Sequence, residues 1–171
     1  MTMTDSILAH PTWQLDVAEG ALILTPCPGT KDASLYESLE QLKEQGVKAI
    51  VTALDYKELA EKNVSQLGSL TQELGMQWFQ IEIEDDCAPD GNFMTKWQAA
   101  SPTLQEIVDK GGKVAMHCMG GSGRTGLLAA HLLLERDWAL DEIVSQVQAL
   151  RPGAFTKPVQ IAYIEQVAQG E

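Results

Sequence analysis

One segment is the strongest indicator of the fold of this chain: His117-Cys118-Met119-Gly120-Gly121-Ser122-Gly123-Arg124-Thr125. It places a cysteine six residues before an arginine, with three glycines between them and a threonine after them. Residues 113–117 before the glycines predict a short buried strand, and the apolar run 127–134 after them predicts a buried helix. The stretch is therefore a tight turn from a strand into a helix, which is typical of an α/β domain.

The residue types in this turn suit an anion. Glycine lets backbone N–H groups converge without Cβ clashes, and converging amides at a helix N-terminus bind anions. Arg124 adds a planar fork that can hold two phosphate oxygens. The same positive field favours the thiolate of Cys118, so one geometry binds phosphate and activates a nucleophile. The predicted phosphate-binding residues are Met119, Gly120, Gly121, Ser122, Gly123 and Arg124.

Two neighbours of the turn have supporting roles. Thr125 can donate a hydrogen bond to the Cys118 sulfur and stabilise it as nucleophile and leaving group. His117 is expected to order the loop rather than to transfer a proton. The alternative is an ordinary strand-to-helix turn around a buried thiol, which the three glycines and the flanking His117 and Thr125 disfavour. The absence of a lysine and of the G-x-x-x-x-G-K spacing excludes a Walker A loop.

An acidic loop precedes this turn in the sequence. Residues 81–84 alternate between isoleucine and glutamate, which predicts a strand that runs out into the loop. Three carboxylates there are candidate general acids: Asp85 first, Asp86 second and Asp90 third. The alternative is a solvated acidic turn in which Asp90 caps the following helix.

The motif is the Cys-x5-Arg signature of the cysteine-dependent protein tyrosine phosphatase superfamily, and the chain resembles its atypical dual-specificity members related to the cyclin-dependent-kinase-associated phosphatase. Beyond Gly120 to Arg124, the resemblance is carried by Pro26-Cys27-Pro28-Gly29, Glu84 to Asp90, and Gly153-Ala154-Phe155 with Gln160 and Tyr163. It implies the phosphatase fold and a phosphatase that needs no metal or other cofactor. Cys118 would attack phosphorus, Arg124 would bind the phosphate, and Asp85 would protonate the leaving group.

One departure concerns the second chemical step. Where tyrosine phosphatases have a Gln-Thr pair that positions the hydrolytic water, this chain has Thr156-Lys157. Gln160, four residues after Thr156, is the candidate replacement. Two alternatives therefore stay open beside the phosphatase: a catalytically weak phosphate-binding module, and a rhodanese-like sulfurtransferase, which also cradles a cysteine in loop amides.

Composition sets outer limits on the protein. The chain has 171 residues, enough for one phosphatase domain over 1–171, with 1–12 as a possible loosely ordered leader. A net charge of −12 argues against nucleic acid and anionic membranes as partners. There is no run of 18 apolar residues and no signal-peptide pattern. The expected partner is a phosphoprotein or another phosphomonoester, and a monomer is expected.

Cysteine usage points to a reducing compartment. Three cysteines do not make an even disulfide framework, and a reactive thiolate needs reducing surroundings, so a cytoplasmic protein is expected. Cys87 lies in the acidic loop and could cap Cys118 as a reversible disulfide under oxidation; the simpler interpretation is a small loop residue.

Predicted strands and helices alternate along the chain. Strands are predicted at 21–25, 47–53, 77–83 and 113–117, and helices at 34–45, 63–74, 93–110, 127–134, 140–150 and 159–168. This order predicts a single α/β domain with a central, mostly parallel sheet flanked by helices. Catalytic loops should then gather at the carboxyl ends of the strands.

Overall fold

A computed structural model describes residues 9–170 of the chain, which form a five-stranded sheet with helices on both faces. The strands are β1 (Trp13–Val17), β2 (Gly20–Thr25), β3 (Val47–Thr52), β4 (Gln77–Gln80) and β5 (Lys113–His117), in the spatial order β1-β2-β5-β3-β4. The helices are α1 (Leu35–Glu44), α2 (Tyr56–Glu61), α3 (Leu67–Glu73), α4 (Gly91–Asp109), α5 (Gly123–Leu134), α6 (Leu140–Leu150) and α7 (Pro158–Ala168).

The prediction of a mostly parallel sheet is confirmed. Strands β2, β5, β3 and β4 run parallel, and β1 alone pairs antiparallel, in a hairpin with β2. The sequence prediction missed β1. Its turn carries Ala18 at φ 52° where a glycine or asparagine usually marks a hairpin, so no turn signal is visible.

The central strands are buried on both sides, as parallel strands between helical layers require. In β2, Leu22 and Leu24 join the larger core beneath α4 and α5, whereas Ile23 faces the smaller core under α1 and α3. Ala115 of β5 also belongs to the smaller core. These continuous apolar strands are held in place by packing on two faces.

One predicted helix is wrong in its extent. The helix predicted over 63–74 begins four residues too early, because α3 begins only at Leu67. The separate helix α2 was not among the predicted helices. Asp55 caps α2 with a capping box that includes Glu58, and Asn63, at φ 60°, takes the left-handed conformation just after the helix. The remaining helices lie within a few residues of their predicted bounds.

The carboxyl ends of three strands meet at one edge of the sheet. Thr25, His117 and Thr52 are register partners across β2, β5 and β3, so the loops that follow these strands come together there. This is the edge at which ligands bind in open α/β sheets.

The chain around His10 and Pro11 packs beside the same edge. Residues 1–8 of the predicted leader lie outside the described residues, and His10 is buried, with its Nε2 2.6 Å from Thr25 Oγ1. None of the helices within residues 9–170 is long and apolar enough to cross a membrane.

Candidate active site

The loop between β5 and α5 curls around the sulfur of Cys118. Two hydrogen bonds point at Cys118 Sγ: the Gly121 N–H donates at 3.3 Å and the Thr125 hydroxyl at 3.2 Å. Cys118 is 4% exposed and Thr125 is fully buried. Donors aimed at a sulfur stabilise its thiolate form, and Thr125 occupies the position expected for that role.

The glycines of this loop are not equivalent. Gly121 has φ +82°, and a Cβ added there would lie 2.6 Å from the backbone nitrogen of Pro26. A Cβ on Gly120 would meet nothing within 4 Å. The loop therefore packs against the end of β2 at Gly121, and Met119 O accepts a 3.0 Å hydrogen bond from Cys27 N at the same place.

Arg124 lies buried at the end of the loop, only 3% exposed. Its Nη1 donates to both carboxylate oxygens of Glu58, at 3.1 and 3.0 Å, and to the Ile83 carbonyl at 3.1 Å. Its Nη2 lies 3.5 Å from Asp85 Oδ1. The guanidinium is thus oriented by α2 on one side and by the acidic loop on the other.

The three candidate acids separate in the structure. Asp85 and Asp86 both line the cavity over Cys118, and Asp85 also contacts Arg124. Asp86, in a left-handed conformation with φ 61°, pairs with Lys157 at 3.3 Å. Asp90 caps α4 by accepting a 3.1 Å hydrogen bond from Phe93 N. Of the three candidate acids, Asp85 is the one that lies beside Arg124.

The cavity has a volume of about 230 Å³. Its lining combines the predicted nucleophile, arginine and acid with most of the predicted phosphate-binding loop. Lining residues are Asp85, Asp86, Cys118, Met119, Gly120, Ser122, Gly123, Arg124, Gly153, Lys157 and Gln160. Most predicted site residues therefore meet in one concave space. The exceptions are the buried His117, Gly121 and Thr125, and the exposed helix cap Asp90.

Gln160 joins this cavity from α7. The residue is 1% exposed, and its Nε2 donates to Cys87 O at 3.1 Å, which anchors the acidic loop. Its buried Oε1 has no hydrogen-bond partner among residues 9–170. Because an unpaired buried acceptor is costly, this oxygen suits a donor that enters the cavity.

His117 lies beneath the loop and is fully buried. Its Nδ1 donates to Cys118 O at 3.0 Å, and its Nε2 accepts from the Thr52 hydroxyl at 2.7 Å. Thr52 in turn accepts a 2.8 Å hydrogen bond from Trp78 Nε1. Burial lowers the pKa of His117 to about 4, so the ring is neutral and holds the loop by its hydrogen bonds.

The other cysteines differ in their surroundings. Cys27 is buried near the loop. Its pKa is raised to about 12, mainly by burial and further by the charges of Cys118 and Glu58. Cys87 is partly exposed in the acidic loop, and all three cysteines are free thiols. The disulfide between Cys87 and Cys118 stays a prediction.

A family model described as Tc-R-P, polymorphic toxin system, DSP-PTPase phosphatase, matches residues 27–137, more than half of the chain. The chain belongs to this phosphatase family. The predicted membership in the atypical dual-specificity group of the cysteine phosphatases is thereby confirmed.

Two curated relatives of this phosphatase domain are tyrosine-protein phosphatases named CDC14. That of Saccharomyces cerevisiae is 33% identical over 90 residues, which are 52% of this chain and 16% of the relative. That of Candida albicans is 28% identical over 127 residues, 71% of this chain and 21% of the relative. The chain spans about one fifth or less of the length of these two relatives.

Solved structures share the fold of the phosphatase domain. A kinase associated phosphatase, with serine in place of its catalytic-site cysteine, matches with a TM-score of 0.83 at 24% identity, over 95% of this chain and 96% of that chain. The structure of PTPMT1 matches with a TM-score of 0.71 at 14% identity, over 92% and 95%. The predicted phosphatase-like α/β fold is confirmed.

Two residues that contact the candidate active site were not predicted from the sequence. Glu58, which grips Arg124, was visible only as part of the capping-box pattern Asp55-x-x-Glu58 at a helix start. Arg151 follows the last residue of α6, and its side chain donates to the carbonyls of Gly120 and Gly121 at 2.7 and 3.0 Å. The sequence around Glu58 and around Arg151 predicts neither contact.

Proposed function

We propose that this chain hydrolyses phosphate monoesters of phosphoproteins through a phosphocysteine intermediate. A single observation carries the proposal: the Cys118 sulfur, held by the Gly121 amide and the Thr125 hydroxyl, lies in one cavity with Arg124 and Asp85. Nucleophile, anion site and acid are the three parts that phosphoryl transfer to a thiolate requires.

In the first step, Cys118 Sγ forms a bond to phosphorus while the ester P–O bond breaks on the opposite side. The proton of Asp85 goes to the leaving oxygen, so no free alkoxide forms. The loop amides and Arg124 hold the non-bridging oxygens, whose charge they stabilise more as the transition state develops. The contact of Arg124 with Asp85 fits this division of roles, because the acid then lies beside the bound phosphate.

In the second step, water attacks the phosphocysteine and gives its proton to Asp85, and Cys118 leaves as a thiolate. Gln160 is our candidate for orienting this water through its unpartnered Oε1. Its anchor on the Cys87 carbonyl holds the amide in the orientation that this role requires. The chain would thereby replace the missing Gln-Thr pair by a glutamine four residues after Thr156.

The family match supports the phosphatase over the two alternatives, a binding module and a sulfurtransferase. We also propose that the protein acts in the cytoplasm, because a thiolate nucleophile persists in reducing surroundings. We further propose that it is a monomer. The net charge of −12 argues against nucleic acid or an anionic membrane as a partner.

The test is hydrolysis of 4-nitrophenyl phosphate in EDTA, comparing the wild type with Cys118→Ser. We expect turnover by the wild type and none by the variant, which should still bind phosphopeptides. Tight phosphopeptide binding without wild-type turnover would instead support the binding module, and a persulfide on Cys118 after thiosulfate treatment would support the sulfurtransferase.

A further inference from the structure

Arg151 reaches the outer side of the phosphate-binding loop from the end of α6. Its backbone N–H closes the helix on Val147 O at 2.7 Å, and the chain turns away at Pro152. From there Nε donates to Gly121 O at 3.0 Å and Nη2 to Gly120 O at 2.7 Å. One rigid fork thus holds two consecutive peptide groups of the loop.

The two sides of these peptide groups face different partners. In a trans peptide the C=O and the following N–H point in opposite directions. Arg151 holds the carbonyl of Gly120, and the N–H of that same peptide group, on Gly121, donates to Cys118 Sγ. The next peptide group is held through Gly121 O, so the Ser122 N–H points away from Arg151, and Ser122 lines the cavity.

Trp13 fixes the guanidinium from behind. The carbon at the centre of the Arg151 guanidinium lies 3.9 Å from the Trp13 ring centroid, a cation–π contact. Trp13 sits in β1, where it pairs with Leu24 of β2, so the ring belongs to the rigid sheet. The fork therefore has a firm support on the side away from the loop.

The charge of Arg151 is also directed at the loop. Among the described residues Arg151 makes no ion pair within 4 Å, whereas Arg124 is paired with Glu58 and Asp85. A cation that donates to a carbonyl makes a stronger hydrogen bond than a neutral donor and polarises the peptide group, which strengthens its N–H as a donor on the far side. Both effects favour negative charge on Cys118 and in the cavity.

We propose that Arg151, supported by Trp13, is a positioning residue that aims the N–H groups of Gly121 and Ser122 at the Cys118 thiolate and the bound phosphate. The inference rests on the proposed phosphatase function, which it deepens. It assigns a role in the active site to a helix end and to a strand residue that lie outside the cavity.

The experiment measures the Cys118 thiolate directly. Alkylation by iodoacetamide is followed against pH by mass spectrometry of the Cys118 peptide, with and without inorganic phosphate as protectant. The variants are Arg151→Gln, Arg151→Lys and Trp13→Leu. The matched control is Arg136→Lys, whose fork holds Gln105 and Asp109 at 2.7 and 2.8 Å, away from the loop.

We expect the alkylation midpoint of Arg151→Gln to move up by about one pH unit, because the thiolate loses an aligned donor. Arg151→Lys should lie between Arg151→Gln and the wild type, since it keeps the charge and loses the fork. The midpoint of Trp13→Leu should rise by less than that of Arg151→Gln, and the midpoint of Arg136→Lys should equal that of the wild type. Protection by phosphate should weaken in the same order.

A purely structural role for Arg151 would lower the melting temperature and leave the midpoint where it is, and that result would overturn the inference. If Arg151→Gln fails to fold, Arg151→Lys and Trp13→Leu decide by the same criterion. The readout does not depend on turnover. An inactive wild type with a shifted midpoint in the variants would therefore refute the proposed function while sustaining the role of Arg151.

Discussion

The carboxylate of Glu58 holds the guanidinium of Arg124 with both oxygens, at 3.1 and 3.0 Å from Nη1. Arg124 is 3% exposed, so its charge is removed from water and needs this partner. The contact joins α2, which follows β3, to the loop that follows β5. The orientation of Arg124, the predicted phosphate-binding arginine, is therefore set by a helix that is only six residues long.

Replacing Glu58 by glutamine should lower kcat/KM for an aryl phosphate by roughly ten- to a hundredfold, the cost of one charge-assisted hydrogen bond. The loss should appear in kcat as well as in KM, because Arg124 is proposed to stabilise the transition state more than the bound substrate. Steady-state kinetics on 4-nitrophenyl phosphate measures it. Glu37→Gln is the matched control, since Glu37 forms the same capping box in α1. Equal kinetics for the two variants would contradict the prediction.

Gly121 and Gly120 offer a pair of substitutions with opposite expected outcomes. Gly121→Ala forces a Cβ to 2.6 Å from Pro26 N at a φ of +82°, so the loop must move away from β2. Gly120→Ala meets nothing within 4 Å. We expect Gly121→Ala to lose at least tenfold in kcat/KM by misplacing the amides, and Gly120→Ala to stay near the wild type. Retained activity in Gly121→Ala would show that the loop tolerates the shift.

Sequence and structure agree where the information is local. The loop from Cys118 to Thr125 was predictable because strand, glycines, arginine and helix start follow one another within a few residues. The contacts of Glu58 and Arg151 were not predictable. Glu58 lies 66 residues from its partner Arg124, and Arg151 lies 30 residues from its partner Gly121. Such contacts depend on the strand order β2-β5-β3, which a single sequence does not specify.

The choice among the acidic residues shows the same limit. The acidic loop was visible in the sequence, but Asp85, Asp86 and Asp90 are alike as residue types. The structure distinguishes them by their partners, Arg124, Lys157 and the amide of Phe93 respectively. The role of Asp85 as the acid stays a prediction that kinetics must test.

Replacing Asp85 by asparagine should lower kcat roughly 10²- to 10⁴-fold on substrates with a poor leaving group, the usual contribution of a positioned general acid. The effect should be smaller for 4-nitrophenyl phosphate, whose leaving group departs without a proton. Asp86→Asn is the control from the same loop. If Asp86→Asn shows the larger, leaving-group-dependent loss, the acid is Asp86 instead.

Replacing Gln160 by leucine should slow hydrolysis of the phosphocysteine more than its formation, because the oriented water is lost. We expect a burst of 4-nitrophenol followed by a steady rate lowered by roughly tenfold, an ordinary cost of lost positioning. Rapid quenching should then trap phosphate on Cys118. Gln166→Leu, an exposed position on α7, is the control. A variant with equal losses in burst rate and steady rate would place Gln160 in the first step.

Three buried histidines should make the protein sensitive to acid. Burial lowers the pKa of His10, His117 and His131 to about 4 in each case, from 6.5. Between pH 6.5 and 4 the unfolded chain binds more protons, so the free energy of unfolding falls as the pH falls, by about 3 kcal/mol for each histidine. His131→Gln keeps an acceptor for the Tyr163 hydroxyl, which lies 2.7 Å from Nε2, and removes one titrating group. The free energy of unfolding, measured with urea at several pH values, should therefore fall less steeply with falling pH for His131→Gln than for the wild type. The difference in slope should correspond to about one bound proton. Parallel declines would mean that His131 is not buried as a neutral ring.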